Sequence, residues 1–403
     1  MLATQDDVAV HRELVGRLMD ARRQSNALFG LVREDALYER PIAERHRIIF
    51  YLGHLEAFDW NLLHERVLGL KSWHPEFERL FAFGIDPVGG GLPDDRESDW
   101  PGLNVVRDYV EGTRSRIDER LSGGNVEYGV EYGVDGASLN VLLNVAIEHR
   151  LMHVETLSYM LHQLAFEKKV RSSEVPEPTA SRVGAGMVDV PAGSVTVGLT
   201  RGGEEFGWDN EFDAHTVDVA GFAMDRDKVT NGEYAEFVAA GGYGTRSLWS
   251  DADSEWITGR GISHPVFWKR AGAEWHYRTM FEEVALPVEW PVYVSHAEAM
   301  AYSRWVGKSL PSEEEWQLAA SVSGMHGLFG NGWEWTSSEF KPFPGFEAFS
   351  FYRGYSADFF DGKHFVMKGG SPVTAECMLR PTFRNWFQAH YQYVYAGFRC
   401  GNR

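Results

Sequence analysis

The chain has 403 residues, 44% of them hydrophobic, and a net charge of −19 near neutral pH. That length is enough for two domains with sizeable cores. The acidic balance argues against nucleic acid as a partner, and no run of eighteen apolar residues exists to span a membrane as a helix.

At the N-terminus, Met1-Leu2-Ala3-Thr4-Gln5-Asp6-Asp7 lacks a basic stretch followed by an apolar one, so the expected compartment is the cytoplasm. Amphipathic periodicity then predicts four long helices. They cover residues 8–31 (with Val10, Leu14 and Leu18), 43–68 (with Ile48, Tyr51, Leu55, Phe58 and Leu62), 103–121 and 139–166. Four such helices close around a shared core, and bundle cores are common metal sites. Residues 83–93, rich in glycine and proline, interrupt the pattern; they read as a loop, either a lid or a plain excursion.

The fourth helix carries the most informative stripe. Leu142, Val145, His149, His153, Thr156 and Met160 recur at steps of three or four. Two histidines on successive turns of a buried face can reach one metal ion, though core histidines satisfied by hydrogen bonds are the commoner case. Arg150, not glutamate, follows His149, which removes the zinc-protease helix. A third histidine, His54, lies in the second helix. The central expectation is that His54, His149 and His153 hold one iron. Glu56 and Glu155 either orient these imidazoles or are surface charges.

Serine, proline and charge at 171–179 mark a boundary. The expected division is a helical unit 1–170, a linker 171–185 and a second domain 186–403. Residues 187–198 read as two short strands about a turn. Thr230 and Ser295 are N-caps of helices over 230–239 and 295–305, Glu298 completing a capping box for the latter, and Ser312 with Glu315 opens a third short helix. The rest reads as loops with isolated strands. The 14% aromatic content, 14 tryptophans included, suits either aromatic-lined pockets or large aromatic cores. Cys377 and Cys400 are expected to remain thiols.

Several segments now fall into order: Phe206-Gly207-Trp208-Asp209-Asn210-Glu211, Val229-Thr230-Asn231-Gly232-Glu233-Tyr234, Trp290-Pro291-Val292-Tyr293-Val294-Ser295, Leu310-Pro311-Ser312-Glu313-Glu314-Glu315-Trp316, Asn331-Gly332-Trp333-Glu334-Trp335-Thr336, Gly369-Gly370-Ser371, Arg384-Asn385-Trp386 and Gly397-Phe398-Arg399. Together they resemble the formylglycine-generating-enzyme-like (sulfatase-modifying factor) domain, which is C-type-lectin-like. The first part, with Leu52-Gly53-His54 and His149-x-x-x-His153, resembles a DinB-like bundle. That pairing resembles the ergothioneine-forming sulfoxide synthases and the related selenoneine synthases, over nearly the whole chain. The implied fold class is α+β: a DinB-like four-helix bundle followed by a C-type-lectin-like, formylglycine-generating-enzyme-like domain with short strands and long loops.

The resemblance implies an enzyme in which His54, His149 and His153 hold iron(II), with dioxygen as co-substrate. Its small-molecule substrates would be hercynine, the trimethylated betaine of histidine, and a sulfur or selenium donor. Asn385 is then a polar contact to hercynine and Trp386 an aromatic wall; Tyr352 and Tyr355 are both candidates for the catalytic proton donor. Phe387 stands where mycobacterial-type sulfoxide synthases carry an acidic residue, and Met152 where they carry glutamine. These two apolar pocket residues lean toward the selenoneine branch with its selenosugar donor, against a sulfoxide synthase using cysteine or gamma-glutamylcysteine. The spacing of Cys377 and Cys400 disfavours sulfatase activation, and with no methyltransferase domain expected after residue 403 the ovothiol type of bifunctional enzyme is disfavoured as well. The reading of another class is a non-catalytic ligand-binding module on a zinc-stabilised bundle.

Overall fold

The structure, a computed structural model, describes residues 5–82, 93–122, 131–132, 137–173, 175–180, 186–203 and 205–402. The expected loop at 83–93 lies outside the described residues except for Pro93, as do residues 174 and 181–185 of the expected linker. The chain divides into two compact units, Met1–Ser173 and Glu174–Arg403.

In the first unit, α1 (Gln5–Phe29), α2 (Ile48–Leu63), α3 (Pro75–Leu80), α4 (Leu103–Ser122) and α5 (Leu139–Gln163) follow one another. α1 packs against α5, and α2 packs against both α4 and α5. α4 buries Val106, Tyr109, Val110, Thr113, Ile117 and Leu121, one stripe at steps of three and four. α2 and α5 are buried on nearly every side, so their polar residues must find partners inside the bundle. α2 begins at Ile48, not at 43. Arg47 is extended, and the Ile48 and Ile49 amides bond back to Glu39 and Leu37 carbonyls, which turns the chain before the helix starts. The short α3 was not anticipated; Pro75 sits in its first turn, and the His74 imidazole accepts from the Phe77 amide at 3.3 Å as its cap.

In the second unit the three expected N-caps hold: Thr230, Ser295 and Ser312 each form a capping box with Glu233, Glu298 and Glu315 at the starts of α6 (Asn231–Ala239), α8 (His296–Trp305) and α9 (Glu313–Ala319). α7 (Asp251–Arg260) lies between α6 and α8 in the chain. The strands are not isolated. Gly332–Glu339 pairs antiparallel with His364–Gly370 and parallel with Ala396–Gly397; His364–Gly370 pairs in turn with Asn385–Gln388. The two strands at 187–197 do not pair with each other: Met187–Val190 joins Phe222–Asp225, and Gly193–Val197 joins His215–Val219.

This sheet is built around buried ion pairs. Glu334 accepts from Arg399 at 2.8 and 3.0 Å and from the Trp316 indole at 2.9 Å, and it faces the Lys228 ammonium at 3.0 Å. Glu313 pairs with Arg384 at 2.8 Å and faces Lys368 at 3.6 Å. Burial opposes charge on both carboxyls, but their cationic partners outweigh it and hold them below the usual carboxylate range. Trp208, Trp268, Trp316, Trp333 and Trp335 are fully buried and belong to the core of this unit. Cys377 and Cys400 are both free thiols. Among the described residues no helix is long and apolar enough to cross a membrane.

Candidate metal centre

The histidine site is made by two central helices of the first unit. His149 and His153 stand one turn apart on α5, and His54 faces them from α2. All three are buried, with ligand-type ring nitrogens within 4.8 Å of one another. The Nε2 atoms converge: His54 to His153 is 3.2 Å, and His153 to His149 is 3.2 Å. An aromatic ring of α2 backs each imidazole. Phe58 stacks on His149 at 3.4 Å, Phe50 on His54 at 4.8 Å, and Tyr51 leans on His153 at 5.6 Å.

The donor set suits a metal ion. The Phe81 carbonyl can only accept, so the His54 Nδ1–H donates to it at 2.7 Å and Nε2 keeps its lone pair. Burial lowers His54 to a pKa of about 4. Burial, followed by the neighbouring imidazoles, takes His149 and His153 well below the ordinary value. Neutral rings are the form that binds a metal. A single N–H on the His153 Nε2 could bond to only one of its two close neighbours, whereas one cation would engage all three nitrogens. With metal–nitrogen bonds of about 2.1 Å, adjacent ligands lie roughly 3.0–3.4 Å apart, as His54 and His153, and His153 and His149, do. Among the described residues no fourth histidine, cysteine or carboxylate joins the group. Structural zinc sites are closed by four protein ligands, so a set of three leaves coordination positions for other molecules.

Neither Glu56 nor Glu155 is a surface charge; both are buried. Glu56 instead belongs to an ion network under the histidines. Arg150, fully buried beside His149, donates to Glu56 at 2.9 Å, to Asp59 at 2.6 Å and to the Leu55 carbonyl at 2.9 Å. Arg114 of α4 reaches Glu56 at 2.7 Å, and Arg22 of α1 lies 4.0 Å from Asp59. Four helices are thus tied together beside the ligand positions. Met152, half-buried, lies on α5 between the two histidines in sequence.

The remaining sequence candidates lie in the second unit. Trp386 stacks on Phe340 at 4.2 Å, and its ring meets Tyr355 edge-on at 5.2 Å and Phe359 at 5.6 Å. Tyr355 stacks on Trp208 at 3.9 Å, and Tyr352 lies 5.6 Å from Tyr355. Trp386, Tyr352 and Tyr355 therefore share one aromatic cluster. Burial raises the Tyr352 phenol, with the Asp209 carboxylate adding to the effect. Asn385 and Phe387 flank Trp386 on a strand, whose alternation turns them to the other face. The Asn385 carboxamide accepts from the Trp386 amide at 2.9 Å, and Phe387 stacks on Tyr391 at 4.9 Å. Arg384, the first residue of that motif, is spent on Glu313.

Sequence reasoning passed over Asp209. Its buried carboxylate accepts from the Ser356 hydroxyl and from the Phe349 amide at 3.4 Å, which fastens the loop that carries both tyrosines. Burial lifts its pKa to about 6. The signal was the Phe206–Glu211 motif, read for resemblance but not for charge.

A helical unit with a buried three-histidine cluster, joined to a loop-rich α+β unit, is the class this fold defines. The model of the sulfatase-modifying factor enzyme 1-like domain matches residues 172–324 and 321–403. A hercynine oxygenase of Mycolicibacterium thermoresistibile is 32% identical over 63% of this chain and 67% of its own length. One of Mycolicibacterium smegmatis is 31% identical over 63% and 70%. Ergothioneine biosynthesis protein 1 of Neurospora crassa is 25% identical over 92% of this chain and 55% of its own length. The chain thus spans from about half to about two thirds of these relatives. It belongs to the ergothioneine-type sulfoxide synthase family, and its second unit is a sulfatase-modifying factor enzyme 1-like domain.

Proposed function

We propose that this protein is an iron(II)- and dioxygen-dependent synthase that joins a chalcogen to C2 of the hercynine imidazole. The observation that carries the reading is the convergence of three buried imidazole nitrogens with no fourth protein ligand among the described residues. The names of the relatives support hercynine as the acceptor and an oxidative reaction.

Iron(II), if held by His54, His149 and His153, would supply the redox activity and the coordination positions that dioxygen chemistry needs, the net electrons coming from the two substrates. The protein does the rest. Phe58, Phe50 and Tyr51 keep the imidazoles oriented and exclude water. The Arg150 network fixes α2 against α5, so the three nitrogens stay convergent. Trp386 offers an aromatic face of the kind that attracts a trimethylammonium group. Tyr352 and Tyr355, neighbours in one aromatic cluster, are the two candidates to donate a proton. With a thiol donor the balance is complete: the hercynine C2–H and the S–H break, the carbon–sulfur bond forms, sulfur takes one oxygen atom, and the other leaves as water.

The resemblance to the selenoneine branch, with Met152 and Phe387 standing where sulfoxide synthases carry glutamine and an acidic residue, favours a selenosugar as donor over gamma-glutamylcysteine. The second reading is a sulfur donor, cysteine or gamma-glutamylcysteine, which the relatives' names favour. A competition assay decides. The protein is loaded with iron(II) without oxygen, given hercynine and equal amounts of the three donors, and exposed to air, and the products are weighed by mass spectrometry. A selenium adduct supports the first reading and a sulfoxide the second. No adduct from iron-loaded protein would refute both.

A further inference from the structure

We infer that Gly53 and Phe81 are positioning residues that set the tautomer of His54. The inference rests on the metal reading of the histidine cluster and deepens it.

Gly53 lies inside α2, a place where glycine is unfavourable unless something requires it. The requirement is steric. A Cβ at this position would stand 2.5 Å from the Phe81 ring, far inside contact distance. The ring therefore lies directly against the helix backbone. It is held there from the other side, fully buried against Phe77 at 5.4 Å, Tyr109 at 6.0 Å and Trp100 at 6.1 Å. These rings restrict where it can move.

Phe81 is also the residue that follows α3. Its amide closes the helix by bonding to Phe77 at 3.0 Å. Its carbonyl lies beyond the last turn of α3, and among the described residues its donor is His54, the neighbour of Gly53: Nδ1–H to Phe81 O at 2.7 Å. The contact thus serves both groups. The ring on Gly53 brings the carbonyl to Nδ1, and the carbonyl takes the only proton of the neutral ring there. Nε2 is left bare toward His153. Any side chain at 53 would push Phe81 away and release that choice.

The test uses the full chain and cobalt(II) as the metal probe. Cobalt affinity is measured by chelator competition, and the His54 tautomer is read in the metal-free protein from long-range nitrogen–proton correlations. Three proteins are compared: the parent, Gly53→Ala, and Gly53→Ala with Phe81→Leu, where a smaller, flexible side chain makes room and the carbonyl remains. Far-UV circular dichroism checks the fold of each. The parent should carry the His54 proton on Nδ1. Gly53→Ala should bind cobalt about 10–100-fold more weakly, the range for loss of an outer partner of a ligand, and should show a mixed tautomer. The double variant should recover most of both. Parent-like affinity and tautomer in Gly53→Ala would overturn the inference. So would a parent whose His54 proton sits on Nε2, a result that needs no variant to fold. If the parent takes up no cobalt, the metal reading fails, while the tautomer signal still judges the contact.

Discussion

Replacing Arg150 by methionine tests whether the ion network holds the histidine-bearing helices together. Arg150 is fully buried and makes the close contacts to both Glu56 and Asp59. Without it Glu56 keeps Arg114 at 2.7 Å, but among the described residues Asp59 keeps only Arg22, at 4.0 Å. One buried carboxylate is left without a close partner. Breaking a buried pair in this way costs about 3–5 kcal/mol. Adding Asp59→Asn to the methionine variant replaces the stranded charge with a neutral amide and should bring the loss below roughly 2 kcal/mol. Urea unfolding followed at the helical circular-dichroism band, which the bundle dominates, measures both. A single variant within about 1 kcal/mol of the parent would show that the network is not a structural tie. A double variant no better than the single one would show that the stranded charge was not the cause.

Two further predictions concern the second unit. Asp209 has its pKa raised by burial to about 6. Its neutral form is the one the fold favours, so its contribution to stability is full below the unfolded value near 4 and is lost as pH rises through about 6. The difference is up to about 3 kcal/mol. The melting temperature of the parent relative to Asp209→Asn should therefore fall between pH 4 and 7, and a pH-independent difference would refute the burial argument. Trp386→Ala should raise the KM for hercynine by a factor corresponding to about 0.5–2 kcal/mol of cation–π and packing contact. An unchanged KM would remove Trp386 from the substrate site.

The long helices were readable because their cores repeat at helical spacing, as Val106, Tyr109, Val110, Thr113, Ile117 and Leu121 do. The α5 stripe showed His149 and His153 on one face by the same rule. Their meeting with His54 was not readable from spacing, since 95 or more residues separate the partners; that step came from resemblance. Charged residues at helical spacing ordinarily face water, so nothing marked Glu56, Asp59 and Arg150 as interior. α3 was too short for a periodic pattern, and with it the carbonyl that holds His54 was missed. In the second unit local caps were legible, because a capping box is written within four residues. The sheet was not, because Gly332–Glu339, His364–Gly370 and Ala396–Gly397 meet across long loops. Phe340 and Phe359 around Trp386 escaped notice for the same reason.

The most direct test of the account is an anaerobic iron(II) titration of the metal-free protein, followed by dioxygen uptake with hercynine and a donor present. The three-histidine reading predicts saturation at one iron per chain and oxygen uptake that requires both iron and hercynine. In His149→Ala and His153→Ala both should be lost while the helical signal persists. Full iron binding and oxygen uptake in either variant would contradict the assignment, and a parent that holds iron without consuming oxygen would contradict the proposed chemistry.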